Sequence, residues 1–336
     1  MTIWMKIACI ILLVFMLSSA VIQGKTVIKM ATLAPSDSTW VNMMRQMIKE
    51  VMDKTKGEIE IKLYPGGVQG DEGAMVHRMQ IGQLHAGAMT SVGLSIIQKE
   101  SLIFQLPLLF DNYEELDYAR DKLLKRMEEA FVKSGYILLG WGDVGPAYLF
   151  SRKRIQNKED LRNSKVWGWV DDQIAMALYK EAGVNPIPLS ISEVLTSLQT
   201  GVIDTVPSTP LACVALQWFN RLDYMIDLPL SVSVGATVVK KKIFDQLSPE
   251  SQEILMRTAR EYHQRLALKI REENDKSLVT LKDQGIEMIP VSEETKRDWE
   301  TIALGVRKTL VGRLYSQELL DELICLVEEF RSKGGR

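Results

Sequence analysis

The stretch that decides the fold of this chain runs from Asp160 to Pro210 and reads DLRNSKVWGWVDDQIAMALYKEAGVNPIPLSISEVLTSLQTGVIDTVPSTP. A short β-type run at Lys165–Val170 precedes a helical segment and the proline-rich turn Asn185–Leu189. The pattern from Ser190 to Glu193 is a capping box, which predicts the start of a second helix. That helix ends at a glycine, and the apolar segment Val202–Val206 then predicts a buried strand.

This order of elements resembles the second domain of the TRAP-transporter solute receptors of the DctP type. Their pattern is roughly DLKG-K-I-R, then NPVP, then S-EV--ALQ-G-VDG---NP. The most specific match is Ser197–Asp204, and the resemblance covers most of the mature chain. It implies a two-domain periplasmic binding protein without catalytic activity. Such a receptor closes on a small organic ligand by hinge motion and delivers it to TRAP membrane subunits.

One position departs from the family pattern. Where the family has an arginine that clamps the ligand carboxylate, this chain has Trp167. The change removes a bidentate partner for a carboxylate and supplies an apolar face with one N–H donor. Three other arginines could replace it, but Arg152 and Arg162 fall in predicted surface loops and Arg78 lies on a helical segment, which makes it a weaker candidate. The sequence therefore predicts a cleft that prefers an apolar or amphipathic ligand.

Composition fits a two-domain α/β protein of the periplasmic binding class. The chain has 336 residues and a formal charge of −2, and it lacks a basic tract, so a nucleic-acid partner is not expected. We predict domain I over residues 25–146 plus about 236–265, and domain II over residues 147–235 plus about 266–300. Helices over residues 301–336 are expected to pack on these domains.

The first half of the chain alternates apolar β-type runs with amphipathic segments. This alternation favours a largely parallel sheet with helices on both faces. The predicted strands are Val27–Thr32, Ile59–Leu63, Ala86–Thr90 and Tyr136–Trp141. The predicted helices are Asp37–Lys54, Asp71–Ile81 and Asp111–Lys133.

Two segments are predicted to cross between the domains as hinge strands. Ala147–Arg152 leads into the second domain, and Ser231–Val239 leads back. Ser248 followed by proline is a helix start, and no breaker interrupts the chain from Pro249 to about Lys282. At 1.5 Å per residue this helix is about 50 Å long, which is enough to brace both domains. Two amphipathic helices are predicted to follow, at Trp299–Arg313 and Gln317–Phe330.

The N-terminus is interpreted as a cleaved signal peptide over residues 1–20, which implies a periplasmic location. Lys6 precedes the apolar run Ile7–Leu17, and small residues at Ser18–Ala20 suit signal peptidase. Cleavage is expected after Ala20, with Gly24 as a second candidate end. The alternative is an uncleaved N-terminal anchor.

Catalytic chemistry is not indicated by any motif. The histidines occupy separate contexts without metal-ligand spacing, so neither a metal nor a cofactor is expected. These histidines are His77, His85 and His263. Asp171 and Asp172 are interpreted as charges at a helix N-terminus. Cys213 and Cys325 are predicted to be buried and unpaired, the alternative being a disulfide between them.

The predicted ligand-binding residues follow from strand ends and from the resemblance. In open α/β sheets the strand ends border the ligand crevice, and Trp167 and Trp169 share one strand face. The alternative is that such tryptophans seal domain interfaces and that Ser208 only caps a helix. The complete set is Trp40, Ser91, Trp141, Trp167, Trp169, Ser208, Thr209 and Trp218.

The sequence is compatible with three functions. The first is a periplasmic receptor of a TRAP-type importer. The second is a carrier that hands a hydrophobic ligand to an accessory periplasmic protein. The third, a secreted enzyme, is disfavoured because no catalytic constellation is present.

Overall fold

The structure is a computed structural model that describes residues 24–334, so the predicted signal peptide lies outside the described residues. The strands are β1 (Thr26–Thr32), β2 (Ile59–Tyr64), β3 (Ala86–Thr90), β4 (Tyr136–Ser151), β5 (Trp167–Gly168), β6 (Ile187–Pro188), β7 (Thr205–Ser208), β8 (Tyr224–Ile226), β9 (Ser231–Lys240) and β10 (Glu287–Ile289). The helices are α1 (Thr39–Lys54), α2 (Glu72–Gln80), α3 (Ser91–Ile97), α4 (Tyr113–Lys133), α5 (Lys158–Arg162), α6 (Gln173–Ala182), α7 (Val194–Thr200), α8 (Pro210–Ala215), α9 (Lys241–Phe244), α10 (Pro249–Asp283), α11 (Glu293–Thr309) and α12 (Gln317–Ser332). Three short 3₁₀ segments join them at Lys99–Gln105, Ile191–Glu193 and Trp218–Arg221. None of the helices from residue 24 to residue 334 has the length and apolarity to cross a membrane.

The first sheet is mixed, with a parallel part and an antiparallel part. β1 pairs in parallel with β2 and with β3, as the alternation of strands and helices predicts. β9 pairs antiparallel with β3 and with β4. The antiparallel part arises because β9 enters the sheet from the other half of the molecule.

Strand β4 connects the two halves of the molecule. The sequence predicts a strand that ends at Trp141 and a separate crossing at Ala147–Arg152, whereas the structure has one strand from Tyr136 to Ser151. Most of β4 pairs with β9, and its C-terminal part pairs with β7 and β8, next to β10. Register shifts at Leu138/Gly140 and Asp143/Gly145 bend the strand between its two sets of partners.

Helix α10 spans both halves, as predicted. It covers 35 residues, begins behind the cap Ser248 and contacts β4, α1 and α8. Asn274 on this helix donates to Val144 O at 3.0 Å and accepts from Leu211 N at 3.1 Å. A Cβ at Gly145, whose φ is +127°, would lie 2.4 Å from Asn274 Nδ2, so a glycine is needed there. The helix is therefore fixed to β4 and α8 at the crossing point.

Two predicted boundaries are wrong for local reasons. The strand expected at Val202–Val206 is β7, which begins at Thr205. Val202 N and Ile203 N both bond to Ser197 O, so they continue the C-terminal turn of α7. Likewise α11 begins at Glu293 and not at Trp299, because the Ser292 hydroxyl caps it.

The two cysteines differ in burial. Cys213 is buried and unpaired, as expected. Cys325 is unpaired but exposed, so its predicted burial is wrong. It lies on α12 outside the buried positions Leu319, Leu320, Leu323 and Val327, which form that helix's packed stripe.

Candidate ligand-binding cleft

A cavity of about 770 Å³ lies between the two halves of the molecule. The first half contributes the end of β1 and the starts of α1 and α2, and the second contributes β5, α6, β7 and α8. Strand β4 and the C-terminal part of α10 line it as well. A cavity between two α/β halves at strand ends and helix starts is the usual place for a small-molecule site.

Three tryptophans form one wall of the cavity. The rings of Trp167 and Trp169 stack with centroids 6.1 Å apart and planes inclined by 23°. Trp218 meets Trp167 edge to face at 5.4 Å. Trp167 Nε1 donates to Leu189 O at 3.0 Å, so its one polar atom is already satisfied by the protein. This wall therefore offers apolar ring surface and no free charge.

Two side-chain hydrogen bonds connect the walls of the cleft, one between Trp169 and Asp71 and one between Thr39 and Glu273. Trp169 Nε1 donates to Asp71 Oδ2 at 3.2 Å, and Ile191 N lies 3.4 Å from the same oxygen. The Thr39 hydroxyl on α1 donates to the carboxylate of Glu273 on α10. Asp71 belongs to the first half and Trp169 to the second, so the hydrogen bond between them links the two halves across the cleft.

Three further predicted residues also line the cavity. Trp40 lies at the start of α1 and packs edge to face against His263, with ring centroids 6.0 Å apart. Ser208 donates to Thr209 O at 3.0 Å, and the Thr209 hydroxyl accepts from Ala212 N at 3.2 Å as the cap of α8. The capping alternative therefore describes Thr209 rather than Ser208.

Two predicted site residues lie in the core instead. Ser91 is fully buried, and its hydroxyl bonds to the side-chain oxygen of Gln105. Trp141 is 9% exposed and packs edge to face on Phe104 at 5.4 Å and on Phe131 at 6.2 Å. Trp141 lies in the middle of β4, not at a strand end as predicted, and its ring packs toward α4 rather than into the cavity.

Two carboxylates that no sequence motif indicates, Glu72 and Asp143, also line the cavity. Glu72 accepts from Thr90 N at 2.7 Å, from the Thr90 hydroxyl at 2.8 Å and from Gly93 N at 2.6 Å. Burial raises the pKa of Glu72 to about 8, although these donors favour its charged form. Burial and these three donors therefore act in opposite directions on the charge of this carboxyl group.

Asp143 on β4 is fully buried beside the cavity and paired with two arginines. Its carboxylate accepts from Arg120 Nη1 at 2.8 Å and from Arg271 Nε at 2.6 Å. Arg271 also pairs with Asp117 at 2.7 Å and lies 4.2 Å from the ring centroid of Tyr113. Both guanidinium groups are thus engaged by the protein's own carboxylates and are not free to bind an anion.

Asp172 caps helix α6, in agreement with the predicted role of the Asp171–Asp172 pair. Its Oδ1 accepts from Ile174 N at 3.1 Å and from Ala175 N at 2.9 Å. Burial raises the pKa of Asp172 against these two donors. Asp172 lines the cavity and Asp171 does not.

No arginine is among the described residues that line the cavity. Arg152 lies 3.4 Å from Leu198 O, Arg162 donates to Ala182 O, and Arg78 lies near Gln83. None of the three replaces the guanidinium missing at Trp167. No group of histidine, cysteine and carboxylate side chains from residue 24 to residue 334 has the arrangement of a metal site.

Sequence reasoning missed Glu72 and Asp143 for a common reason. A charged residue in a helix or loop usually indicates a solvated face, and burial is not visible in the sequence. Asp143 gave one signal, since it stands alone in the otherwise uncharged run Leu138–Phe150.

Comparison with known proteins supports the resemblance inferred from the sequence. The family model for the bacterial extracellular solute-binding protein, family 7 (DctP), matches residues 30–310. The chain is 28% identical to the 2,3-diketo-L-gulonate-binding periplasmic protein YiaO of Escherichia coli, covering 71% of this chain and 73% of YiaO. It is 24% identical to the C4-dicarboxylate-binding periplasmic protein DctP of Rhodobacter capsulatus, covering 81% of this chain and 82% of that protein.

Solved structures share the fold. The sugar acid binding protein DctPAm from Advenella mimigardefordensis, crystallised with galactonate, superimposes with a TM-score of 0.84 at 19% identity. That match covers 91% of this chain and 99% of the other. A TRAP periplasmic solute-binding protein from Haemophilus influenzae with bound L-gulonate gives a TM-score of 0.83 at 20% identity, with the same coverage.

Proposed function

Because this chain belongs to the bacterial extracellular solute-binding proteins of family 7, whose members bind solutes and are not enzymes, we propose that it captures an apolar or amphipathic organic molecule for a TRAP-type importer. Capture takes place in the cavity between the two halves. Closure of the cleft buries the ligand, and the loaded protein then carries it through the periplasm to the TRAP membrane subunits.

One observation supports the proposed class of ligand. Indole rings form the wall where a carboxylate-clamping arginine is expected, and no arginine lines the described cavity. Relatives named or crystallised with gulonate, galactonate or C4-dicarboxylates take acids. A carboxylate buried against these rings would lack a counter-charge and would cost several kcal/mol. The volume of about 770 Å³ also suits a molecule larger than a C4-dicarboxylate.

Ligand retention tests the proposal. Purified protein is incubated with the small-molecule extract of a bacterial culture, separated by gel filtration and denatured, and the released compounds are identified by mass spectrometry. We expect an apolar or amphipathic compound that is retained by wild type and lost from Trp169→Ala. Trp299→Phe, which alters a buried tryptophan outside the cavity, serves as the control. Retention of a sugar acid or a dicarboxylate would contradict the proposed ligand class.

The alternative partner is an accessory periplasmic protein that receives the same ligand. It differs from the importer proposal in one measurable respect. Uptake of the retained compound should cease in cells that lack the TRAP membrane subunits if the protein serves the importer. Uptake that continues without those subunits would favour the carrier.

A further inference from the structure

The walls of the cavity carry an excess of negative charge. Lys276 is the one basic side chain among the described lining residues. Six lining residues are acidic: Asp37, Asp71, Glu72, Asp143, Asp172 and Glu273. Two arginines neutralise Asp143, and burial raises the pKa of both Glu72 and Asp172. Even without these three, Asp37, Asp71 and Glu273 outnumber Lys276, which itself pairs with Glu272.

The protein's own carboxylates also occupy the backbone donors that would otherwise attract an anion. Free N–H groups at helix starts are natural anion sites. Three such acceptors line the cavity with their donors in place, namely Asp71 with Glu72 N at 2.8 Å, Glu72 with Gly93 N at 2.6 Å, and Asp172 with Ala175 N at 2.9 Å. An anionic ligand would therefore meet repulsion at these positions and find the donors already used.

Asp172 retains an acceptor atom for a ligand. Both of its hydrogen bonds end on Oδ1, and Oδ2 has no hydrogen-bond partner or salt bridge among the described residues. Tyr179 lies two turns further along α6 and also lines the cavity. Its side chain is 1% exposed, and its hydroxyl has no hydrogen-bond partner in residues 24–334. Burial and the neighbouring Asp172 charge both raise the pKa of Tyr179, so the hydroxyl stays neutral.

These two unpartnered groups lie beside apolar surface. Ile174 and Leu178 on the same helix line the cavity and are almost fully buried, and Trp169 lines it nearby. The site thus combines an unpaired carboxylate, a hydroxyl that accepts or donates, and an apolar wall. A protonated amine matches this set, because it has only hydrogen-bond donors and its positive charge can pair with the Asp172 carboxylate.

We propose that the ligand is an amphipathic amine whose ammonium group donates to Asp172 Oδ2 and to the Tyr179 hydroxyl oxygen while its apolar body packs on the tryptophan wall. This inference rests on the proposed function and assigns the polar end of the ligand. Asp172 is then the residue that determines the charge of the ligand, in addition to capping α6.

A matched panel of compounds separates charge from shape. One set is 2-phenylethylamine, 2-phenylethanol and phenylacetate. The other set is tryptamine, tryptophol and indole-3-acetate. Within each set the apolar body is constant and the head is a cation, a neutral donor or an anion. Binding to the full mature protein is measured by titration calorimetry. We expect the amine to bind at least about ten-fold more tightly than the alcohol, and the carboxylate to bind most weakly.

Asp172→Asn tests the assigned residue. Asparagine caps helices as well as aspartate does, so α6 is retained while the charge is removed. We expect the amine-over-alcohol ratio to fall to about one in this variant. Asp171→Asn removes the neighbouring exposed charge, which does not line the cavity, and should leave the ratio unchanged. Thermal unfolding of both variants verifies that they are folded.

Several outcomes overturn the proposal. They are a carboxylate that binds most tightly, an amine and an alcohol that bind equally, or a ratio that Asp172→Asn leaves intact. An alcohol that binds while its amine does not would refute the amine and leave the proposed receptor function standing. If no panel compound binds, the amine proposal fails. The receptor function fails only if wild type also retains nothing from the extract.

Discussion

Trp169 Nε1 donates a hydrogen bond to Asp71 Oδ2 at 3.2 Å, and this bond joins the two halves of the molecule across the cleft. Asp71 also caps α2 by accepting from Glu72 N. The carboxylate that starts a helix in one half is thus a contact for the other half. Closure of the cleft and the position of the tryptophan wall are therefore coupled through one side chain.

Trp169→Phe should shift the unliganded protein toward an open cleft. Phenylalanine keeps ring surface but removes the N–H donor, and a hydrogen bond to a charged group contributes about 1.5–3 kcal/mol. The ratio of closed to open molecules should fall by about ten-fold or more. Small-angle X-ray scattering checks this as an increased radius of gyration. Trp299→Phe is the control, and an unchanged radius for Trp169→Phe would mean that the bond does not hold the cleft closed.

Trp141→Ala should reduce stability without changing ligand affinity. Trp141 packs on Phe104 and Phe131 in the core, and removal of such a ring costs about 3–5 kcal/mol in the free energy of unfolding. Urea denaturation measures the loss, and calorimetry of the remaining folded protein measures affinity. If affinity falls while stability does not, Trp141 belongs to the site as the sequence predicted.

Gly140→Ala should be destabilising because of His263. A Cβ at residue 140 would lie 2.5 Å from His263 Cδ2, so the histidine must move, at a cost of about 1–3 kcal/mol. In the double variant with His263→Ala, part of this cost should disappear. Gly142→Ala is the matched control, since its Cβ would lie 3.7 Å from the same ring. Strictly additive effects of the two changes would contradict the proposed clash.

Stability should fall in acid through His263. Burial lowers the pKa of His263 from 6.5 to about 4, and neither ring nitrogen has a hydrogen-bond partner among the described residues. Between these two pH values the unfolded chain binds a proton that the folded chain does not. The free energy of unfolding therefore decreases by about 1.4 kcal/mol per pH unit as pH falls from 6.5 toward 4.

Urea denaturation of His263→Leu over this pH range checks that slope. The leucine variant should lose the His263 contribution, whereas the exposed His77→Gln should keep the wild-type slope. Equal slopes in His263→Leu and wild type would show that another group causes the acid sensitivity.

Periodicity and helix caps predicted most of the fold. Ser248 before proline located the start of α10, and the absence of a breaker gave its length to within one residue. The capping box at Ser190 and Glu193 is present, with Ser190 N donating to Glu193 at 2.9 Å. These signals are local, so the sequence contains them. The continuity of β4 could not be predicted, because Gly140, Gly145 and Pro146 resemble breaks, and pairing with β9 keeps the strand intact.

The lining of the cavity could be predicted in part, for a similar reason. The spacing of Trp167 and Trp169 placed both rings on one wall, since a two-residue period is a local property. The sequence predicts a strand that ends at Trp141 and therefore places this residue at the cleft, whereas β4 continues to Ser151. Glu72 and Asp143 act through partners distant in sequence, up to the 128 residues between Asp143 and Arg271. Such long-range pairing is not recorded in the local pattern.

Titration calorimetry of the wild-type mature protein with succinate and malate tests most directly whether this cleft fails to recognise small dicarboxylates. A bidentate arginine contributes about 1.5–3 kcal/mol to such binding, and here an indole takes its place beside an acidic wall. We predict dissociation constants weaker than about 1 mM for both acids. A dissociation constant in the low micromolar range for either acid would contradict the account.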